Sequence, residues 1–239
     1  MMFTPFPLRD CTLQKNRIDV WQIPLDREFV NAERILAPEE LARGRRFHFE
    51  RHQRRFMTAR SMLRIILARY LNTEPEAIQF SYNTHGKPSV LSNVALEFNL
   101  SHSQDTALLA VGQHYELGVD IEFFSARSYL GIGRQIFSEA EIVQLHEISS
   151  AMQPLLFFHL WSQKEALIKA CGIGLSYPTK QFDLLGLPPA EHEIFDPKFK
   201  KPWRIVSFMP HIASCAALCH HPDVHEIRFT RLETIGAFS

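Results

Sequence analysis

Two carboxylates, Asp120 and Glu122, alternate with the apolar residues Val119 and Ile121 in a segment that has the composition of a strand. Residues i and i+2 of a strand lie about 6.5–7 Å apart on one face, and adjacent carboxylates repel each other unless a cation lies between them. Oxygen ligands alone favour Mg²⁺, Mn²⁺ or Ca²⁺ over zinc. The pattern predicts either a divalent-metal site or two solvated acids on an exposed strand.

A third carboxylate and a lysine, Glu165 and Lys169, are four residues apart in a segment with helical periodicity. Residues at this spacing lie on the same face of a helix. One interpretation is a surface ion pair, which stabilises a protein by a few tenths of a kcal/mol. The functional interpretation is a third metal ligand beside a lysine that neutralises phosphate oxygens.

Two polar segments have the residue types of a phosphate or nucleotide site. Asn99, Ser101 and His102 end a predicted strand and offer an amide, a hydroxyl and an imidazole, although a plain polar turn is an equally good interpretation. The second segment is a turn in which a glycine gives access to the backbone and a lysine adds positive charge, and a purely structural turn is the alternative interpretation. It consists of Tyr82, Asn83, Thr84, His85, Gly86, Lys87 and Pro88.

Positive charge is concentrated between residues 43 and 69, which contain nine arginines and a single acid, Glu50. Such a stretch indicates an anionic partner, either a nucleic acid, a phospholipid or a small polyphosphate, or else a solvated helix face. The nine are Arg43, Arg45, Arg46, Arg51, Arg54, Arg55, Arg60, Arg64 and Arg69. The whole chain has no net charge, which argues against nucleic acid and favours a small phosphorylated ligand.

The composition is that of a soluble globular protein. The chain has 239 residues, 26 Lys and Arg against 26 Asp and Glu, and four cysteines without zinc-finger spacing. Four cysteines in a chain of this length are not a disulfide framework, so we expect a reducing, cytoplasmic compartment. The sequence has no apolar run of about 18 residues and no leader pattern at its beginning, so we expect no membrane span.

The elements that must position these groups follow from periodicity and capping signals. Helices are predicted from Ala37, over 50–71, from the capping box at Ser138 to about 148, and from Pro154 to Gly172 and Gly174. Strands are predicted at 78–82, 96–100, 107–111 and 117–121, and again at 182–185, 203–208, 214–218 and 226–229. The strands at 107–111 and 117–121 are predicted to form a hairpin around residues 112–114.

The order of these elements repeats, because each half contains a short helix, a long helix and then several strands. We predict an α+β fold of two similar halves, residues 1–117 and 118–239, related by a pseudo-twofold axis. The cleft between the halves is the natural position for a ligand.

Four motifs occur in a fixed order: His-Gly-Lys-Pro at 85–88, Asn-Leu-Ser-His-Ser at 99–103, Gly-Val-Asp-Ile-Glu at 118–122, and Trp-Ser-Gln-Lys-Glu-Ala-Leu-Ile-Lys at 161–169. In this combination and spacing the chain resembles the 4′-phosphopantetheinyl transferase superfamily. Its length resembles the monomeric, two-half type that activates peptide and polyketide synthetases.

The resemblance implies transfer of phosphopantetheine from coenzyme A to a serine of an apo carrier protein, with release of adenosine 3′,5′-bisphosphate. It implies Asp120, Glu122 and Glu165 as Mg²⁺ ligands, and Glu165 is also the expected base for the carrier serine. Lys164 and Lys169 are expected to contact the pyrophosphate.

The same resemblance assigns the rest of the coenzyme A site. The turn 82–88 is expected to line the adenine and ribose, with Lys87 nearest the phosphates. Arg43, Ser101 and His102 are expected to bind the 3′-phosphate. Some relatives carry a second basic residue where this chain has Glu40, and Arg55 is the candidate to replace it.

A carrier-binding surface is predicted after the metal motif, where apolar residues are either core or exposed for an incoming helix. They are Phe123, Phe124, Tyr129, Leu130 and Ile132. Two other functions fit parts of the sequence. A nucleic-acid-binding module would use the arginine-rich helix, and a metal-dependent phosphohydrolase would cleave coenzyme A without an acceptor.

Overall fold

A computed structural model describes residues 3–5, 8, 11–125 and 130–232. The helices are α1 (Ala32–Ile35), α2 (Pro38–Arg45), α3 (Glu50–Leu71), α4 (Leu130–Ile136), α5 (Glu139–Glu147) and α6 (Gln153–Cys171). The strands are β1 (Thr4–Pro5), β2 (Arg17–Pro24), β3 (Phe80–Tyr82), β4 (Pro88–Val90), β5 (Leu96–Ser103), β6 (Thr106–Gln113), β7 (Gly118–Phe123), β8 (Glu191–Asp196), β9 (Lys201–Phe208), β10 (Ser214–His220) and β11 (Glu226–Arg231).

Two sheets contain most of the strands. The first has the order β1-β11-β2-β6-β5, with parallel pairing in β1-β11-β2 and antiparallel pairing elsewhere. The second has the order β7-β10-β9-β8 and is wholly antiparallel, while β3 and β4 form a separate hairpin. The series β2-β6-β5 and β7-β10-β9 match in order and direction, so the predicted α+β fold of two similar halves is confirmed.

The two sheets pack face to face between the long helices. Ile18 and Leu108 of the first sheet meet Val119 and Leu218 of the second in a central apolar core. Helix α3 covers the outer face of the first sheet, and α6 packs on β7, β9 and β10. This arrangement places α6, with Glu165 and Lys169, directly against the strand that carries Asp120 and Glu122.

The helix predictions are confirmed by the structure. Pro38 begins α2, and α3 spans the predicted 50–71. The Ser138 hydroxyl accepts from the Glu141 N–H, and the Glu141 carboxylate accepts from the Ser138 N–H, which is the predicted capping box. Gly172 ends α6 in the left-handed conformation, with φ of 69°.

Two strand predictions are wrong. Strands β6 and β7 do not form a hairpin, because the chain passes between them from the first sheet to the second; β6 pairs with β5 instead. Residues 182–185 form no strand, because their backbone groups are bound by side chains. Lys164 donates to the Phe182 carbonyl, and the Leu184 N–H donates to Glu141.

Strands β2 and β8 were not predicted from the sequence. Strand β11, near the end of the chain, returns to the first sheet and lies between β1 and β2. The first sheet is therefore assembled from strands on both sides of residue 117.

Candidate active site

The two acidic residues of β7 point away from the central core, as the alternation predicts. Val119 and Ile121 are fully buried in that core, whereas Asp120 and Glu122 face the other way. Strand β5 supplies a hydroxyl to each carboxylate: Ser101 Oγ donates to Asp120 Oδ1 at 2.8 Å, and Ser103 Oγ donates to Glu122 Oε2 at 3.1 Å. Asp120 is only 2 % exposed, so it is not a solvated surface acid.

Gly118 allows α6 to pack directly on β7. A Cβ at this position would lie 2.1 Å from the Ala166 carbonyl oxygen and 2.4 Å from the Ala170 nitrogen, which is far inside van der Waals contact. The close approach brings the Glu165 and Lys169 face of α6 to Asp120. Sequence reasoning missed this role, although a glycine at the start of a strand is a signal of close backbone approach.

Lys169 pairs with the β7 aspartate. Its Nζ lies 2.5 Å from Asp120 Oδ1 and donates to Ser101 Oγ at 2.8 Å. The expected surface pair with Glu165 is replaced by an ion pair between the helix and the strand. Ser101 and Lys169 therefore belong to one network with Asp120, and Ser103, also missed from the sequence, extends it to Glu122.

The surroundings of the other two carboxylates of the site, Glu122 and Glu165, raise their pKa values. Burial, followed by the negative charge of Asp120, raises the pKa of Glu122 to about 7. The same two causes raise the pKa of Glu165, and Lys169 opposes them. The negative charge of Asp120 thus opposes ionisation of both glutamates, and a bound cation would relieve that repulsion.

The chemistry of these side chains fits a divalent cation. Asp120 Oδ2 is buried and has no hydrogen-bond partner within the described residues, and all the donor atoms are oxygens. In the same part of the chain, however, no three His, Cys, Asp or Glu side chains are close enough together to hold one ion. The donor set fits, whereas the spacing is not that of a formed metal centre.

A cavity of about 260 Å³ opens beside this network. Its walls come from the predicted coenzyme A turn, from β5 and from the end of α6. They are His85, Gly86, Lys87, Pro88, Asn99, Glu165, Ile168, Lys169, Gly172, Gly174 and Leu175. The structure thus brings most of the predicted turn together with two of the predicted catalytic residues.

The turn itself is docked on the end of α6. Asn83 Nδ2 donates to the Gly172 carbonyl at 2.8 Å, and Lys87 Nζ donates to the Ala170 and Leu117 carbonyls at 2.9 and 3.2 Å. The Lys87 ammonium is therefore held by backbone carbonyls while its side chain lines the cavity, and its place nearest the phosphates stays a prediction. Tyr82 and Thr84 are exposed outside the cavity lining, and the Tyr82 hydroxyl accepts from Arg60.

Asn99 and His102 flank the network from β5. Asn99 Oδ1 accepts from the Val119 N–H at 2.8 Å and so connects β5 to β7. Desolvation, then the positive charges of Lys169 and Arg55, lowers the pKa of His102 below its ordinary value. Lys169 and Arg55 are thus the cations that act on His102, and Asp120 opposes them.

Lys164 is not part of the cleft, and its predicted contact with pyrophosphate is corrected. Its side chain is fully buried, with Nζ 3.0 Å from Glu141 and hydrogen bonds to the Thr179 and Phe182 carbonyls. Burial lowers the pKa of this lysine, and Glu141 opposes that effect. Five residues along the helix, Lys169 faces Asp120 instead, so the two lysines have different functions.

Glu40 organises the beginning of the arginine-rich region. Its carboxylate accepts from the Ala37 N–H, and from Arg60 and Arg64 with Nε at 2.7 Å in each case. Burial alone would raise the pKa of Glu40, but the two arginines and the Ala37 N–H hold it below its usual range. The acid that replaces a basic residue of some relatives is thus a structural residue.

Several of the nine arginines are neutralised by ion pairs. Arg54 and Arg55 both bind Asp105, with nitrogen–oxygen distances of 3.1 and 2.9 Å, and Arg45 pairs with Glu33. Arg43 is exposed, with its guanidinium 5.4 Å from the centre of the Phe56 ring, and it does not line the cavity. The excess of positive charge available to a ligand is consequently much smaller than the sequence indicates.

The predicted carrier surface is only partly described. Phe123 stacks on His211 and Phe124 on Phe158, so both are partly buried, whereas Ile132 is 47 % exposed. Tyr129 lies outside the described residues, as does the side chain of Leu130.

Comparisons with known proteins identify the class of protein that this site belongs to. Residues 19–114 match the family model described as 4′-phosphopantetheinyl transferase, N-terminal, and residues 116–216 match the model of the 4′-phosphopantetheinyl transferase superfamily. The chain belongs to the 4′-phosphopantetheinyl transferase superfamily, and the predicted family is confirmed.

Individual relatives agree with this class. The 4′-phosphopantetheinyl transferase HetI of Nostoc sp. is 37 % identical over 172 residues, which are 69 % of this chain and 73 % of HetI. Sfp of Bacillus subtilis, also a 4′-phosphopantetheinyl transferase, is 30 % identical over 196 residues, 80 % of this chain and 85 % of Sfp. The mouse L-aminoadipate-semialdehyde dehydrogenase-phosphopantetheinyl transferase is 29 % identical over 174 residues, 67 % of this chain and 56 % of the mouse protein. These relatives confirm the predicted enzyme class and support neither of the two alternative functions.

Proposed function

We propose that the protein transfers 4′-phosphopantetheine from coenzyme A to a serine hydroxyl of an apo carrier protein and releases adenosine 3′,5′-bisphosphate. The observation that carries the proposal is the meeting of Asp120, Glu165 and Lys169 beside a cavity lined by the turn 85–88. Membership of the superfamily supports the same reaction.

In this reaction the serine oxygen attacks the β-phosphorus, and the bond to the oxygen shared with the α-phosphate breaks. Glu165 is the proposed base that accepts the serine proton, and its raised pKa makes it a stronger base than an exposed glutamate. Lys169 neutralises negative charge on the pyrophosphate as the bond breaks. The electrons of the broken bond leave on the α-phosphate of adenosine 3′,5′-bisphosphate.

Asp120, Glu122 and Glu165 are the residues that would hold Mg²⁺. When bound, the ion would supply Lewis-acid stabilisation of pyrophosphate oxygens. The unpartnered Asp120 Oδ2 and the raised pKa of Glu122 support this assignment. Formation of a Mg²⁺ site would require the three carboxylates to move closer together than they are in this structure.

The rest of coenzyme A is proposed to extend along the cavity from this centre. The turn 85–88 would contact the adenine and ribose, while His102, with Arg55 nearby, would receive the 3′-phosphate. Arg43 is proposed as a further contact of that phosphate. The positive charges of Lys169 and Arg55 near His102 support this direction of binding.

The protein is proposed to act in the cytoplasm and as a monomer. Four free cysteines support a reducing compartment. None of the helices in the described ranges has the length and apolar character of a membrane span.

The test is to mix the protein with coenzyme A, Mg²⁺ and an apo carrier protein and to measure the mass of the carrier. A gain of the phosphopantetheine mass is expected. Consumption of coenzyme A with an unmodified carrier would instead indicate a hydrolase, and no change in either would overturn the proposal.

Glu165→Gln tests the base. We expect kcat to fall about 100-fold or more, because the carrier serine loses its proton acceptor, while binding of coenzyme A persists. Glu147→Gln, a change at an exposed glutamate of α5, is the matched control and should leave turnover unchanged. Near-normal turnover of Glu165→Gln would remove Glu165 from this role.

A further inference from the structure

The turn that carries Lys87 is attached to two separate elements of the second half. The Lys87 ammonium donates to the carbonyl of Ala170, in the last turn of α6, and to the carbonyl of Leu117, just before β7. Ala170 follows Lys169 in the chain, and Leu117 is three residues before Asp120. One ammonium therefore connects the two backbone segments that supply the acidic network.

Asn83 adds a second attachment and orients the first. Its Nδ2 donates to the Gly172 carbonyl at 2.8 Å, while its Oδ1 accepts from the His85 and Lys87 N–H groups at 2.9 Å each. The side-chain oxygen of Asn83 thus holds the turn in its conformation, and the side-chain nitrogen attaches the turn to the end of α6. Gly172 has φ of 69°, which favours glycine, and a Cβ here would lie 2.9 Å from Lys87 Cδ.

The positive charge of Lys87 interacts with backbone carbonyls of the protein itself. The last carbonyls of a helix have no intrahelical donor and carry partial negative charge, so a lysine at this end is favourable. The Lys87 ammonium uses two of its three N–H donors on these carbonyls, and the side chain also lines the cavity. Its position is suited to holding α6 and β7 at a fixed separation.

We propose that Lys87 and Asn83 are positioning residues that clamp the turn 83–87 to α6 and β7, and so set the spacing between Glu165 and Asp120. The proposed clamp rests on the proposed transferase function for its kinetic consequence only. Its structural consequence, the ordering of the end of α6 and the start of β7, holds for the free protein.

Hydrogen exchange of the free protein tests the structural part. In Lys87→Met, which keeps most of the side-chain length but removes the ammonium, amides at residues 168–173 and 117–119 should exchange about tenfold faster than in the wild type. Asn83→Ala should accelerate the 168–173 segment as well. Lys198→Met, at an exposed lysine that contacts the Phe199 ring, is the matched control and should change neither segment.

Kinetics separate positioning from phosphate binding. With rates normalised to the folded fraction, we expect Lys87→Met to lower kcat about tenfold and to change KM for coenzyme A by less than about threefold. A rise in KM alone, together with unchanged exchange in both segments, would identify Lys87 as a phosphate contact and overturn the clamp. Unchanged kcat in the folded variant would also overturn it.

The two proposals fail in different ways. If the wild-type protein modifies no carrier, the transferase proposal fails while the exchange experiment still decides the clamp. If the wild type is active and Lys87→Met exchanges like the wild type, only the clamp fails.

Discussion

Asp19 and Asp120 occupy equivalent positions in the two halves of the molecule. Each is the third residue of its strand, β2 or β7, in the matched series β2-β6-β5 and β7-β10-β9. Each contacts the long helix of its own half, Asp19 through Tyr70 of α3 and Asp120 through Lys169 of α6. Both are 2 % exposed.

Their partners differ in a way that separates structure from function. Asp19 Oδ1 lies 3.0 Å from Arg17 Nε and accepts from Arg228, and Asp19 Oδ2 accepts from Arg228 and Tyr70. Both oxygens of Asp19 are satisfied. Asp120 has Lys169 and Ser101 on Oδ1 only, and Oδ2 has no partner within the described residues. The same position in a repeated fold is thus a structural anchor in one half and a candidate reactive site in the other.

The largest expected effect is on turnover in Asp120→Asn. The amide removes the negative charge that the cation and Lys169 require, so kcat should fall about 1000-fold. The free energy of unfolding should fall less than in Asp19→Asn, because Asp120 pairs with a single, partly exposed lysine. Turnover close to that of the wild type, measured by carrier mass, would end the functional side of the comparison.

The reciprocal change, Asp19→Asn, should reduce stability instead. Removing this carboxylate breaks the buried ion pair with Arg17 and the bidentate contact with Arg228, and we expect the free energy of unfolding to fall by about 3 kcal/mol. The kcat of the folded fraction should stay near the wild-type value. Urea unfolding measures the first quantity, and a stable but inactive Asp19→Asn protein would contradict the assignment.

A smaller effect is expected where the halves differ at the start of the strand, Arg17 in β2 and Gly118 in β7. Gly118→Ala places a methyl group against the α6 backbone and should destabilise the protein by about 2 kcal/mol. Because α6 must move outward, kcat should fall more than KM for coenzyme A rises. Gly131→Ala, at a helix position with open space around it, is the control.

The smallest expected effect is electrostatic. Desolvation and the positive charges of Lys169 and Arg55 lower the pKa of His102, so Lys169→Met should raise that pKa toward its ordinary value. Protonated His102 should then persist to a higher pH. A titration of the imidazole followed by NMR measures the change, and Lys198→Met should leave the midpoint where it is in the wild type.

Local signals in the sequence predicted the helices well because their causes are local. Pro38, the Ser138 capping box and Gly172 act within one or two turns of chain, and all three have the predicted role. The alternation in β7 likewise predicted which residues face the core. Pairing between strands depends on long-range contacts, which is why the hairpin of β6 and β7 was wrongly predicted.

The sequence predicted which residue types form the site, but it did not predict which groups their side chains contact. Helix spacing puts Lys164 and Lys169 about 140° apart around the axis, but it does not tell which of them faces the cleft. Only the fold places Glu141 beside Lys164. The sequence could not show that the Lys87 ammonium binds backbone carbonyls, because those carbonyls belong to residues 117 and 170, far away in the chain. Ser103 was within reach of sequence reasoning, since it repeats the strand face of Ser101.

The position of strand β11 determines when the first sheet can be completed during synthesis of the chain. It is inserted between β1 and β2, and its Arg228 completes the partners of Asp19. During translation, one edge of β2 therefore stays unpaired, and the first sheet incomplete, until residues 226–231 have left the ribosome. The half that is synthesised first is the half that is finished last.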